Sequence, residues 1–135
     1  MAILKIAKMG HPVLLQKAKE VEDPTSPKIR RLVNDMLDTL NDLGGSGVGL
    51  AAPQIHVSLQ VVIFEISIGK DTSLMTLINP KIKVLTKETS IDWEGCLSVP
   101  GLRGQVVRPN KIKYSGLDLK GNKIETIAED FDARI

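Results

Sequence analysis

Residues 26–45, SPKIRRLVNDMLDTLNDLGG, contain the strongest structural signal in the sequence. Ser26 is a favoured N-cap residue, and Pro27 suits the first helical position. Apolar residues then recur with the 3.6-residue period of a helix and form one stripe, made of Ile29, Leu32, Val33, Met36, Leu37, Leu40 and Leu43. Because Gly44 and Gly45 are typical of a helix C-terminus, the pattern predicts an amphipathic helix over 26–43.

The segments that follow this helix are rich in β-branched residues. Residues 60–66 (QVVIFEI) and 74–78 predict two strands separated by a turn at 69–72, and Asn79-Pro80 ends the second strand. Further strand candidates lie at 81–87, 104–108 and 111–119, and a hairpin turn is predicted at 120–123. One N-terminal amphipathic helix with several short strands predicts an α+β fold with a mostly antiparallel sheet.

Composition limits the class of protein. A chain of 135 residues with 42% hydrophobic residues predicts a single domain over 1–135 with one core. A net charge of +2 and only 3% aromatic residues give no support for nucleic-acid binding. No apolar run approaches the length of a membrane span, and Lys5 and Lys8 do not fit a signal peptide. A single cysteine suits a reducing compartment, so we expect a cytoplasmic protein with no nucleic-acid or membrane partner.

The segment 47–54, GVGLAAPQ, departs from this ordinary pattern. Gly47 and Gly49 would let the backbone approach a ligand or a neighbouring strand closely, and the amide of Gln54 can both donate and accept hydrogen bonds. The alternative is a glycine-rich exit from the helix that leads into a strand.

The segment 93–100, WEGCLSVP, contains the only tryptophan and the only cysteine of the chain. Cys96, which lies beside a glycine and near a serine and comes before a proline, could be a nucleophile or a metal ligand. The alternative is a small buried apolar residue, which is the usual role of a free cysteine.

Taken together and in this order, GVGLAAPQ and EGCLS resemble the peptide deformylase family, as do Asn79-Pro80 and SVPGLRG at 98–104. The resemblance implies a metal hydrolase, with Fe²⁺, Zn²⁺, Ni²⁺ or Co²⁺, that removes the formyl group from the N-terminal methionine of new proteins. It implies that Cys96 is a metal ligand. It also implies that the Gln54 side chain and the Leu97 backbone N–H stabilise the oxyanion, and that Val48, Gly49 and Arg103 contact the peptide.

The third motif of this family, HExxH on a helix, does not occur in the 135 residues. That motif supplies two histidine ligands and the general base. The only histidines are His11 and His56, and the segment 130–135, DFDARI, resembles the GFLAR segment that precedes the motif in the family. Because a catalytic metal needs about three protein ligands, we expect no cofactor on the chain as written, with Cys96 a vestigial ligand and the catalytic helix missing.

Three functions are compatible with these motifs. The first, which we expect, is a catalytically inactive relative of the deformylases. The second is an active deformylase, if the sequence is part of a longer chain, and the third is a non-catalytic module that binds N-terminal peptides. In the family the histidine helix packs against the sheet, so its absence predicts an apolar groove beside 60–66 and possible self-association through it.

Three further side chains have open interpretations. His56 lies two residues after Gln54, and in an extended chain both would share a face, so His56 is either a second metal ligand near Cys96 or an exposed loop residue. Glu94 is either hydrogen-bonded within the site or a solvated charge. Asp130 stands where the family has glycine, and Asp132 stands where it has leucine. These changes suggest relaxed sequence constraint, because burial of an unpaired carboxylate is costly.

Overall fold

A computed structural model describes residues 2–135. In chain order the elements are α1 (Pro12–Leu15), α2 (Pro27–Asp42), β1 (Gly49–Ala51), a 3₁₀ helix (Ala52–Ile55), β2 (Val61–Ile68), β3 (Asp71–Val84), β4 (Thr89–Cys96), β5 (Val99–Pro109), β6 (Lys111–Leu117), β7 (Lys123–Glu129) and α3 (Asp130–Arg134). None of the helices in this part of the chain has both the length and the apolar character that a membrane crossing requires.

The strands form two sheets. Five of them pair antiparallel in the order β1-β2-β3-β6-β7, and β4 and β5 form a separate two-stranded antiparallel sheet. The predicted α+β class with a mostly antiparallel sheet is confirmed.

Helix α2 covers one face of the five-stranded sheet. It begins where the sequence predicts, because the hydroxyl of Ser26 accepts a hydrogen bond from the Ile29 N–H at 3.4 Å. Its apolar stripe packs against β1, the 3₁₀ helix and β2, where Met36 and Ile63 are almost fully buried. Burial of each such side chain contributes roughly 1.5–3 kcal/mol, so this packing is a large stabilising contribution to the fold.

The opposite face of the sheet is apolar as well, but it is partly open. Val62 and Phe64 of β2 point to it, since side chains alternate along a strand, and they pack with Leu77 and Tyr114. These residues line a groove of about 370 Å³. The groove lies beside 60–66, where the sequence predicts one, and its suggested role in self-association stays a prediction.

Strand β3 differs from the sequence prediction, because it does not end at Asn79-Pro80. It continues to Val84 through a register shift between Ile78 and Lys81. Asn79 adopts a left-handed conformation there (φ 53°), and its side chain bonds both backbone groups of Val21, with Oδ1 to N–H at 2.8 Å and Nδ2 to C=O at 3.0 Å. The bulge accommodates the proline, and the asparagine fixes a distant loop to the sheet.

Other boundaries also differ from those predicted. The turn at 69–72 is shorter, since β3 begins at Asp71, and the strand at 111–119 ends at Leu117. The strand at 104–108 begins earlier, at Val99, while the hairpin turn at 120–123 is present, with Gly121 at φ 80°. The sequence analysis missed α1, β4, β7 and α3.

Replacement of Asn79 tests the role of this bulge. Asn79→Gly removes both hydrogen bonds to Val21 and should lower the free energy of unfolding by about 2 kcal/mol. Asn79→Ala should cost about 1–2 kcal/mol more, because an alanine is strained at positive φ. Urea unfolding followed by circular dichroism measures both values. Equal stability of the alanine and glycine variants would contradict the left-handed conformation.

Candidate active site

The GVGLAAPQ segment folds as a short edge strand followed by one 3₁₀ turn. β1 pairs with β2, with Gly49 opposite Phe64, and the chain then turns through Ala52–Ile55. Both glycines allow close packing. A Cβ at Gly49 would lie 3.1 Å from the Ile63 carbonyl oxygen, and one at Gly47 would lie 3.2 Å from a methyl group of Leu97. The segment therefore contacts a neighbouring strand and the second motif, as its glycines suggested.

The amide of Gln54 is held in one orientation. Its Oε1 accepts a hydrogen bond from the Ala51 N–H at 2.9 Å, and its Nε2 donates to the hydroxyl of Ser98 at 3.1 Å. The same Nε2 lies 3.8 Å from the sulfur of Cys96. The amide is thus positioned beside the cysteine by contacts on both of its ends.

The EGCLS segment forms the tip of the β4–β5 hairpin. Cys96 ends β4, Leu97 and Ser98 form the turn, and β5 begins at Val99. The Cys96 thiol is free and exposed, which contradicts the alternative of a buried apolar cysteine. Ser98 is buried, and its carbonyl oxygen accepts a hydrogen bond from the Met9 N–H at 2.8 Å.

One cleft of about 790 Å³ is lined by all the predicted site residues, namely Val48, Gly49, Gln54, Cys96, Leu97 and Arg103. Gln54 and Cys96 are 42 positions apart in the sequence, and the fold brings them into contact. Arg103 lies on β5 opposite Gly95, and its guanidinium donates to the Trp93 carbonyl oxygen at 3.5 Å. The roles of these six residues stay predictions, but their common location is a property of the structure.

Glu94 is not a solvated charge, because two arginines bind it. Arg108 donates two hydrogen bonds to its carboxylate, at 2.7 and 2.9 Å, and Arg134 donates one at 2.8 Å. The pKa of Glu94 is held below its ordinary value mainly by the hydrogen bonds from Arg108. Burial opposes this shift, and Arg134 adds to it. The carboxylate is therefore ionised and paired two residues before Cys96.

Arg134 connects the end of the chain to this hairpin. Its side chain is only 7% exposed, and besides Glu94 it donates to the carbonyl oxygens of Ser90 and Val106 at 2.9 and 3.0 Å. The motifs did not identify Arg134. Its position in the segment that resembles GFLAR was the available signal.

The two aspartates of this segment fit their surroundings. Asp130 has a left-handed backbone (φ 52°), which explains a glycine at this position in the family and which aspartate tolerates better than most residues. Asp132 is not an unpaired carboxylate, since the Ser67 hydroxyl donates to it at 2.8 Å. The interpretation that these residues show relaxed constraint is therefore not needed.

His56 is not among the residues that line the cleft of Cys96, so the structure gives no support to its interpretation as a second ligand. The 3₁₀ turn and the left-handed backbone at His56 (φ 66°) remove the extended geometry on which that idea depended. Its ring instead packs edge-on against His11, with the ring centroids 4.6 Å apart. Both histidines are exposed.

The residues present do not complete a metal site. Cys96 offers one sulfur ligand, and no group of three or more histidine, cysteine, aspartate or glutamate side chains within residues 2–135 is placed to hold a metal ion. An open catalytic site on a divalent metal needs about three protein ligands. No step of a reaction can therefore be assigned to a metal held by these residues alone.

The family model for polypeptide deformylase matches residues 3–135. The chain is 43% identical over 139 residues to peptide deformylase 1 of Nitrosomonas europaea, covering 98% of the chain and 78% of that protein. It is 48% identical over 136 residues to peptide deformylase 1 of Bordetella pertussis, covering 96% and 76%. The crystal structure of a class I type b peptide deformylase from Acinetobacter baumannii with Met-Ala-Ser bound matches with a TM-score of 0.89 and 34% identity, covering 100% and 90%. The chain belongs to the peptide deformylase family.

The ion pairs at Glu94 predict a particular dependence of stability on pH. Because the pKa of Glu94 is lowered in the folded chain, its contribution is present above its ordinary value of 4.5 and is lost as the pH falls through the lowered value. Glu94→Gln should lower the free energy of unfolding at pH 7 by about 1–3 kcal/mol and flatten its decrease below pH 4.5.

Urea titrations between pH 3 and 7 provide the measurement. The lowered pKa values of Asp23, Asp118 and Glu125 act in the same direction and are present in both proteins, so the difference isolates Glu94. Glu88→Gln is the matched control, because the exposed Glu88 side chain forms no ion pair with any residue in 2–135. Parallel pH profiles for Glu94→Gln and the unaltered protein would refute the ion-pair network.

Proposed function

We propose that the chain is the substrate-facing part of an active peptide deformylase, which hydrolyses the formamide bond of N-formylmethionine at the start of new proteins. The observation that carries the proposal is the contact between Gln54 and Cys96 in the cleft, with Nε2 3.8 Å from Sγ. Relatives named peptide deformylase cover nearly the whole chain, and they favour this function over the inactive relative that the sequence alone suggested.

The amide of Gln54 is suited to stabilise a developing oxyanion. When water adds to a formyl carbonyl, negative charge forms on its oxygen, and donors that are already oriented stabilise that charge without reorganisation. Gln54 is fixed at both ends of its amide, and Leu97 follows Cys96 in the same cleft. In this proposal the Gln54 amide and the Leu97 N–H are the two donors.

The edge of β1 is suited to bind a peptide. Within residues 2–135, β1 pairs only with β2, so its outer edge is available for an added strand. Val48 is 42% exposed and lines the cleft next to Gly49. The Met-Ala-Ser peptide bound to the Acinetobacter baumannii relative supports a short N-terminal peptide as the ligand, and Arg103 also lines the cleft.

The proposal requires further metal ligands and a general base from polypeptide outside these 135 residues. The position of Ile135 is compatible with such a source, because this residue lines both the cleft of Cys96 and the apolar groove on the sheet. The bacterial relatives support a bacterial source and, as part of the proposal, a cytoplasmic location.

A fusion protein tests the activity. Residues 1–135 are joined to the sequence that follows the matched region in the Bordetella pertussis relative, and the protein is loaded with Fe²⁺ or Ni²⁺. It should release formate from formyl-Met-Ala-Ser, and Cys96→Ser should lower this rate more than roughly 100-fold, because a ligand is lost. The 135 residues alone should show no release above their own Cys96→Ser control.

The same preparations distinguish the other two functions. A fusion protein that is folded and contains stoichiometric metal but releases no formate would contradict the proposal. Calorimetry with the formylated peptide then separates a binding module, which binds it without turnover, from an inactive relative, which does not. Formate release by the 135 residues alone would show that the requirement for outside ligands is wrong.

A further inference from the structure

Two side chains of the EGCLS segment contact the Gln54 amide. The Ser98 hydroxyl accepts a hydrogen bond from Nε2 at 3.1 Å, and the Cys96 sulfur lies farther away, at 3.8 Å. The Ala51 N–H can only donate, so it selects Oε1 as the amide atom that faces it. Nε2 is thereby directed towards the Ser98 hydroxyl. The amide therefore has one orientation, and it depends on a donor at one end and an acceptor at the other.

We propose that Ser98 is a positioning residue for the deformylation reaction proposed above. Its hydroxyl accepts a hydrogen bond from one N–H of the Gln54 amide, and this contact directs the other N–H into the cleft beside Cys96. An amide nitrogen carries two protons in a plane, and fixing one of them fixes the direction of the other. The second proton is the one that would meet a developing oxyanion. Ser98 itself need not contact the substrate.

The backbone around this contact shows that it is built into the fold. Ser98 is only 5% exposed, so its hydroxyl has little access to water as an alternative partner. The Ala7 N–H donates to the Gln54 carbonyl oxygen at 2.7 Å, and the Met9 N–H donates to the Ser98 carbonyl oxygen at 2.8 Å. One N-terminal segment, residues 7–9, thus holds the backbones of both residues, and their side chains hydrogen-bond to each other.

A kinetic test uses the active fusion protein. Ser98→Ala should lower kcat roughly 10- to 100-fold, because a misdirected oxyanion donor is less effective, and should leave KM within about twofold. Ser98→Thr retains the hydroxyl and should restore most of kcat. The matched control is Ser58→Ala, which removes a buried hydroxyl with no hydrogen-bond partner in residues 2–135 and should leave kcat unchanged.

A second readout does not depend on activity. In ¹⁵N-labelled 1–135 chain, the side-chain NH₂ group of Gln54 should be ordered, and Ser98→Ala should lower its heteronuclear NOE, while Ser98→Thr and Ser58→Ala should not. An ordered Gln54 amide in Ser98→Ala would overturn the proposal, as would an unchanged kcat. If the unaltered fusion protein is inactive, the proposed function fails and the NOE alone decides whether Ser98 orients Gln54.

Discussion

The attachment of the β4–β5 hairpin to the five-stranded sheet is the constraint on which the site depends. A two-stranded hairpin alone is at best marginally stable in water, and these strands share no backbone ladder with the larger sheet within residues 2–135. Near Cys96 the hairpin is held by the Met9 N–H, and further along it is held by the buried guanidinium of Arg134. Gln54 lies in the 3₁₀ helix that follows β1, and Cys96 lies in the hairpin, so these attachments contribute to how closely the two residues approach.

Periodic patterns in the sequence predicted the elements that bury one continuous face. The stripe from Ile29 to Leu43 matches α2, because one helix face packs on one sheet face. β4 was missed because most of its side chains are exposed and its apolar alternation is short, limited to Ile91 and Trp93. The passage of β3 through Pro80 was also not predictable, since it depends on the bonds of Asn79 to Val21, 58 positions away.

The motifs predicted which residues share the cleft, but not what holds them. The resemblance located all six residues, and the fold brings them together. The contacts of Ser98 with Gln54 and of Arg134 with Glu94 join positions 44 and 40 residues apart, and no spacing rule in a single sequence reports them. The sequence indicated Ser98 only as a member of the EGCLS motif. Glu94 had two open interpretations, and its hydrogen bonds to Arg108 and Arg134 favour the hydrogen-bonded one.

The structure also removes one of the two arguments for an inactive protein. Asp130 occupies a left-handed position that suits glycine or aspartate, and Asp132 accepts hydrogen bonds from Ser67, so both residues are compatible with an intact fold. The other argument concerns imidazole ligands, which the segment 2–135 does not bring to Cys96. That argument concerns the number of ligands that a metal ion bound to Cys96 would have, and it leaves the orientation of Gln54 unaffected. The arrangement of Gln54 and Ser98 is therefore common to the active and the inactive interpretation, and only the source of the remaining ligands separates them.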